Sequence, residues 1–155
     1  MFDIVTFKDV ININHSKFIL YLAVAFMVGL NEEILFRGSI MMYIKYLINT
    51  KVALGISSIL FSLVHFHYNG LLPFITVFLA GIIFSILTLK YKSLLPAIGF
   101  HMGWDFSYFI FEDIFDVTKS IPLWGEIFEI PQIIFLAIIL CILIYTCQKH
   151  VFNEN

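Results

Sequence analysis

Residues 18–48 read FILYLAVAFMVGLNEEILFRGSIMMYIKYLI, an apolar run of 31 residues broken near its centre by Asn31, Glu32, Glu33 and Arg37. A helix crosses the ~30 Å hydrocarbon layer with ~20 apolar residues at a rise of ~1.5 Å each. This run is too long for one straight span, and its charges fall deep within it. A charge at that depth costs at least about 2.5–3.5 kcal/mol on insertion scales, and it is kept where it faces a protein interior and does work. The stretch therefore predicts a membrane helix that carries part of a polar site.

The rest of the chain agrees. It has 155 residues, 61% apolar and 13% charged, with 18 Phe. Soluble domains run at about 45–50% apolar and about 25% charged, so hydrocarbon must be the solvent. Membrane lipid is thus the first expected partner. The formal charge is −2 and no Lys/Arg block is present, which argues against nucleic acid as a partner. Four further apolar segments follow, at about Val52–His67, Leu71–Leu89, Leu94–Phe111 and Ile130–Cys147. The expected fold is all-α, a polytopic membrane helix bundle of about five transmembrane segments.

The expected organisation is an extramembrane segment at 1–17, a helical core at 18–111, an acidic loop at 112–129 and a last transmembrane helix at 130–149. The first seventeen residues lack the small-residue cleavage site of a signal peptide. The links at 49–51 and 90–93 are short and basic, as is the Lys149 end, so the positive-inside rule turns them to the cytoplasm. That places the N-terminus outside. Cys141 and Cys147, six apart on one helix, are read as lipid-facing or packed thiols.

Six acidic, basic or imidazole residues lie well inside the apolar segments, away from their ends: Glu32, Glu33, Arg37, His65, His101 and Asp105. Arg37 is the sole arginine of the chain. Glu33 and Arg37 are four apart and pair on one helix face. His101 and Asp105 share a stripe in the same way, as do Phe61 and His65. Counted along ideal helices from the basic links, Glu32 lies at a depth of ~24 Å, His65 at ~21 Å and His101 at ~13 Å. Three segments can thus bring their polar residues to one interior level. His67 falls on another face from His65, and His15 and His150 are read as solvated.

Hydrolysis of a peptide needs a water, a base to activate it, and donors for the developing oxyanion. The chain has no G-x-S-x-G and no H-E-x-x-H motif. Ser57, Ser58, Ser62 and Ser85 are read as helix-packing hydroxyls bonded to backbone. A carboxylate–histidine site fits better, with Glu32 as the base and His65 and His101 carrying protons or donating to the oxyanion. With neutral imidazoles, Glu32, Glu33, Asp105 and Arg37 sum to −2. Such a cluster recruits protons or a divalent cation such as Zn²⁺, for which His65, His101 and Asp105 are candidate ligands. The sequence leaves metal-activated water and a metal-free glutamate–histidine pair both open. Proton or ion transport on the same residues is a third reading, with few spans to support it.

Three runs carry a resemblance: Glu32-Glu33-Ile34-Leu35-Phe36-Arg37-Gly38, Phe61-Ser62-Leu63-Val64-His65 and His101-Met102-Gly103-Trp104-Asp105. In order and spacing they resemble the E-E-x-x-x-R, F-x-x-x-H and H-x-x-x-N/D motifs of the CPBP intramembrane proteases, the CAAX-protease/bacteriocin-processing or Abi family. Phe78-Leu79-Ala80-Gly81 and Ser93-Leu94-Leu95-Pro96-Ala97-Ile98 resemble the family's linking helix and its entry to the last motif. The likeness covers about residues 18–110. It implies an intramembrane endopeptidase in a bacterial plasma membrane, its cavity open to the cytoplasm. Glu32 and His65 would activate the water, His101 and Asp105 would stabilise the oxyanion, and Glu33 with Arg37 would brace the site. The implied substrate is a peptide or protein, either lipidated and of the CAAX kind or a bacteriocin precursor. Relatives are often labelled metalloproteases. Two departures stand out: Asp105 replaces the frequent Asn, and the extra N-terminal spans of many relatives are missing. The chain is then a minimal catalytic core, or a non-catalytic copy kept for bacteriocin self-immunity or peptide binding.

Overall fold

A computed structural model of the chain describes the backbone of residues 6–7, 15–65, 70–116 and 122–151, and the side chains of 15–65, 70–111 and 129–146. The fold is all-helical, with one two-residue strand pairing. Helix α1 (His15–Glu33) runs without a break into a π-helical stretch, Ile34–Met41, and then into α2 (Met42–Leu47). Next come α3 (Thr50–Val64), α4 (Leu71–Tyr91), α5 (Leu95–Ile114) and α6 (Pro122–Val151). Strands β1 (Thr6–Phe7) and β2 (Phe115–Asp116) pair antiparallel, Thr6 opposite Asp116. That pairing ties the N-terminal segment to the far end of α5, a link with no signal in the sequence pattern.

Side chains are distributed as hydrocarbon demands. Phe18, Ile19, Leu20, Ile59, Leu60, Leu63, Ile134 and Ile138 face outward, while Glu33, Arg37, Ser57, Ser58, Ser62, Ser85 and His101 are buried. A soluble domain shows the reverse. Three helices are long and apolar enough to cross a membrane: the rod His15–Leu47, Leu71–Tyr91 and, within α6, Glu129–Thr146. The chain is an integral membrane protein. The expected count of about five spans maps onto five helical rods, but Thr50–Val64 has only 15 residues and is shorter than a full crossing.

Local chemistry sets the ends. Asn49 caps α3, its side-chain oxygen accepting from the Val52 N–H at 2.9 Å, which satisfies one of the donors a helix start leaves open. Helix α4 stops at Lys92, which adopts the left-handed conformation (φ 50°), and Ser93 then accepts from the Leu95 N–H at 3.2 Å to begin α5. At the other end of the chain, α6 begins eight residues before the segment expected from hydropathy. Residues 122–129, read as acidic loop, are helical. Pro131 lies inside this helix, where it removes a single backbone donor. Glu129 accepts a hydrogen bond from the Thr76 hydroxyl of α4, so the carboxylate that suggested a loop has a partner on the neighbouring helix.

The core is a column of Phe36, Phe61, Ala80, Ile83, Phe84, Ala97 and Leu136, drawn from the π stretch and α3 to α6. Small residues let the backbones approach, the usual device where lipid tails compete for every apolar surface. All four serines behave as expected. Ser58, Ser62 and Ser85 each donate to a carbonyl one turn back, and Ser57 donates across helices to the Phe36 carbonyl at 2.9 Å.

Candidate active site

The π stretch begins directly after Glu33. Backbone hydrogen bonding five residues apart widens the rod and disturbs its carbonyl ladder, and the Ser39 hydroxyl donates to the Ile34 carbonyl at 3.1 Å. Ser57 takes up one of the displaced carbonyls, at Phe36. Such π insertions recur at functional sites because they re-aim side chains at a cost the surroundings must offset. Here the insertion turns Arg37 fully inward.

Arg37 is completely buried and held on four sides. Its Nη1 donates to Glu33 Oε1 at 2.9 Å and its Nη2 to the Gly81 carbonyl of α4 at 3.0 Å. The guanidinium carbon lies 4.3 Å from the Phe61 ring centre and 5.1 Å from that of Phe84, within cation–π range. Gly81 is what allows this: a Cβ there would meet Ser58 Cα at 3.2 Å and Arg37 Nη2 at 3.3 Å. Arg37 is therefore the pin between the first rod, α3 and α4. The expected Glu33–Arg37 pair is present, and Glu33 does more than brace. The same oxygen, Oε1, lies 3.0 Å from His101 Nδ1 of α5.

Above this pin lie the other four residues singled out from the sequence. Glu32 Oε2 is 3.5 Å from His65 Nε2 and 3.7 Å from His101 Nε2, and His101 Nε2 is 3.6 Å from Asp105 Oδ2. Their side chains differ in access. Glu32 is 27% exposed, Asp105 21% and His65 18%, against 6% for His101 and none for Glu33 or Arg37. So Glu32, His65 and Asp105 border an accessible space, and Glu33 and Arg37 lie behind it. His65 Nδ1 is 2.7 Å from the Phe61 carbonyl. Glu32 Oε2 has no hydrogen bond of normal geometry among the described residues; it is an acceptor aimed at two imidazoles. His67 lies outside the described residues.

The shallow depth inferred for His101 has a plain correction. Leu94 Cδ1 would be 3.4 Å from a Cβ on Gly38, so α5 starts beside Gly38, one turn past Glu33 on the first rod. Its seventh residue is then already level with Glu32.

Two groups escaped the sequence reading. Phe84 stacks on His101, ring centres 5.0 Å apart and planes 19° from parallel, and it also faces Arg37. Nothing in an apolar helix marks one Phe among 18; only its place three residues after Gly81 hints at a shared face. Gly29 is the other. A Cβ there would lie 3.3 Å from Met102 N and 3.5 Å from His101 Cβ. Gly29→Val is expected to overpack this contact by about 1–3 kcal/mol and to move α5 with His101. Hydrolysis should fall sharply in that variant. Gly99→Ala and Gly103→Ala, where a new Cβ meets nothing within 4 Å, should fold and turn over normally. Thermal unfolding and rate measurements on the three variants check this.

The donor set also bears on a metal. Among the described residues no group of three or more His, Cys, Asp and Glu is placed to hold one ion. His101 is turned by Nδ1 onto Glu33, and His65 by Nδ1 onto a carbonyl, which leaves both Nε2 atoms directed at Glu32, as in histidines that bind a metal through Nε2. The candidate ligands His65, His101 and Asp105 thus keep donor atoms for an ion, but among the described residues they are not gathered as a three-ligand group.

In this helical membrane bundle carboxylates lie against two imidazoles beside a buried ion pair, an arrangement able to move protons to and from a bound water. The Rce1-like family model, of type II CAAX prenyl endopeptidases, matches residues 14–107, more than half of the chain. The chain belongs to that family and, at the level of the family, is a CAAX-type intramembrane protease. The match takes in all six site residues and ends before α6. No curated protein and no solved structure matches the chain.

Proposed function

We propose that this protein hydrolyses a peptide bond of a membrane-borne substrate with a water activated by Glu32. One observation carries the reading: two imidazole Nε2 atoms lie within 3.7 Å of the buried Oε2 of Glu32, a side chain otherwise 27% exposed, next to a fully buried ion pair. Glu32 takes a proton from the water, and the hydroxide so formed attacks the scissile carbonyl. His65, beside Glu32, shares that proton and returns it to the leaving amine. His101 Nε2, when protonated, donates to the oxyanion, and Asp105 stabilises that cationic ring. Asp105 as a carboxylate cannot itself donate, so it serves His101 where an Asn would serve the oxyanion directly.

The substrate on this reading is a lipidated CAAX peptide, which the family match supports, with a bacteriocin precursor as the alternative. On this reading residues 18–111 form the catalytic core in a bacterial plasma membrane, with α6 as a buttress against α4. The basic helix ends, and with them the cavity mouth, face the cytoplasm. Purified protein in liposomes should release the C-terminal tripeptide from a farnesylated CAAX peptide, read by mass spectrometry. A protein that binds such peptides, cleaves neither them nor unlipidated precursors, and keeps its cellular role when Glu32 is changed to Gln would be a binding or immunity protein instead.

Because His65, His101 and Asp105 are not gathered as a three-ligand group among the described residues, exhaustive chelation with 1,10-phenanthroline is expected to leave the rate unchanged. A rate lost to the chelator and restored by Zn²⁺ would return His65, His101 and Asp105 to ligand roles.

A further inference from the structure

We propose that Glu33 is a positioning residue for the reaction: its carboxylate fixes the tautomer and plane of His101, so that His101 presents Nε2 to Glu32. The inference rests on the hydrolytic reading above and adds to it a role for a residue that otherwise only neutralises Arg37.

Each Nδ1 atom meets an acceptor. A backbone carbonyl oxygen only accepts, so the 2.7 Å contact between His65 Nδ1 and the Phe61 carbonyl requires a proton on that nitrogen. An ionised carboxylate also only accepts. Glu33 forms an ion pair with Arg37 at 2.9 Å, so the 3.0 Å contact to His101 likewise requires Nδ1–H. Both imidazoles are thereby placed in one tautomer, by two unrelated acceptors. The second nitrogen of a histidine is set by the bond that the first one makes. Each neutral ring thus carries its lone pair on Nε2, the atom facing Glu32.

Chemistry explains why this matters. At His65 the lone pair on Nε2 accepts the proton that Glu32 draws from water, and the ring returns it to the leaving amine. At His101 the Nε2 lone pair takes up a proton from solvent before the reaction, and the cation, held between Glu33 at Nδ1 and Asp105 near Nε2, donates from Nε2 to the oxyanion. For His65 the lock is backbone and cannot be mutated away. For His101 it is the Glu33 side chain, with Phe84 stacked on one face at 5.0 Å and Gly29 packed against its Cβ. Arg37 matters to this only as the counter-charge of a fully buried carboxylate.

Two double variants separate the roles. Glu33→Gln with Arg37→Met removes both charges and keeps a carbonyl oxygen that can accept from Nδ1. Glu33→Met with Arg37→Met removes both charges and the acceptor. The ¹⁵N spectra of histidine-labelled protein in detergent micelles read the tautomers directly, and His65 is an internal control in every sample. Wild type and the Gln variant are expected to show Nδ1–H at His101. The Met variant should show a tautomer mixture at His101 with His65 unchanged, and a kcat about 10²-fold below the Gln variant at similar KM. The proposal is overturned if wild-type His101 carries its proton on Nε2, or if the two double variants share one kcat. Should the Met variant fail to fold, the wild-type and Gln spectra still decide. A wild type that hydrolyses no peptide would sink the hydrolytic reading instead, and hydrolysis that survives Glu32→Gln would sink Glu32 as its base; either would leave the ¹⁵N pattern untouched.

Discussion

Glu32→Gln is expected to lower kcat by about 10³-fold or more, within the range by which a positioned base speeds proton transfer, while the fold stays as stable as before. The two halves of that expectation come from different observations. Glu32 is a base candidate because it is the carboxylate in the cluster with the most access, at 27% exposure, and because its Oε2 faces two Nε2 atoms without a donor of its own. Exchange of one oxygen for NH₂ removes the basic lone pairs and keeps the shape. Stability should hold because the new amide brings a donor to a place lined with acceptors, so the thermal midpoint is unchanged or slightly raised. KM should also stay near its wild-type value, since a group used only in the transition state leaves ground-state binding alone. A variant that unfolds, or one that loses KM and not kcat, would place Glu32 in binding and not in chemistry.

Much of that site is legible in the sequence, for a physical reason. Helices are rigid enough that a four-residue spacing guarantees one face, so Glu33 with Arg37 and His101 with Asp105 can be paired from their positions in the chain. Hydrocarbon supplies the second constraint, since charges cannot face it cheaply and must therefore turn towards one another. What stays hidden depends on where the backbone departs from ideal rods. The π stretch at Ile34–Met41 alters the facing of everything after Glu33, and no composition rule marks it. The start of α5 beside Gly38 sets His101 level with Glu32, which separate counts from the two basic links do not show. The early start of α6 is masked by Glu129 and Pro131, because a carboxylate with a partner on the next helix looks, in sequence, like one in water. Glu33's second bond is hidden for the same reason: a residue already paired within its own helix gives no sign of a further partner 68 positions away.

Arg37→Met is expected to be the most destabilising single change in the chain, at about 3–5 kcal/mol, because it leaves the Glu33 carboxylate buried without its counter-charge. The midpoint of thermal unfolding in detergent should fall on the order of 10 °C or more. Removal of one partner is costly for reasons that do not measure the worth of the pair. Desolvation of both ions is already set against their attraction, and a fully buried pair often breaks even with apolar residues of similar volume. The double change, Glu33→Met with Arg37→Met, should therefore regain most of the stability lost by Arg37→Met alone. It cannot regain all of it, since the Gly81 carbonyl also loses its donor, as do the Phe61 and Phe84 faces their cation. Stability and turnover would thus move in opposite directions between the single and the double variant: the double folds better, but it has lost the acceptor that turns His101, which the single keeps. A charge pair kept only for stability would show recovery of both, so the two measurements made on the same samples separate what holds the bundle from what aims its histidine.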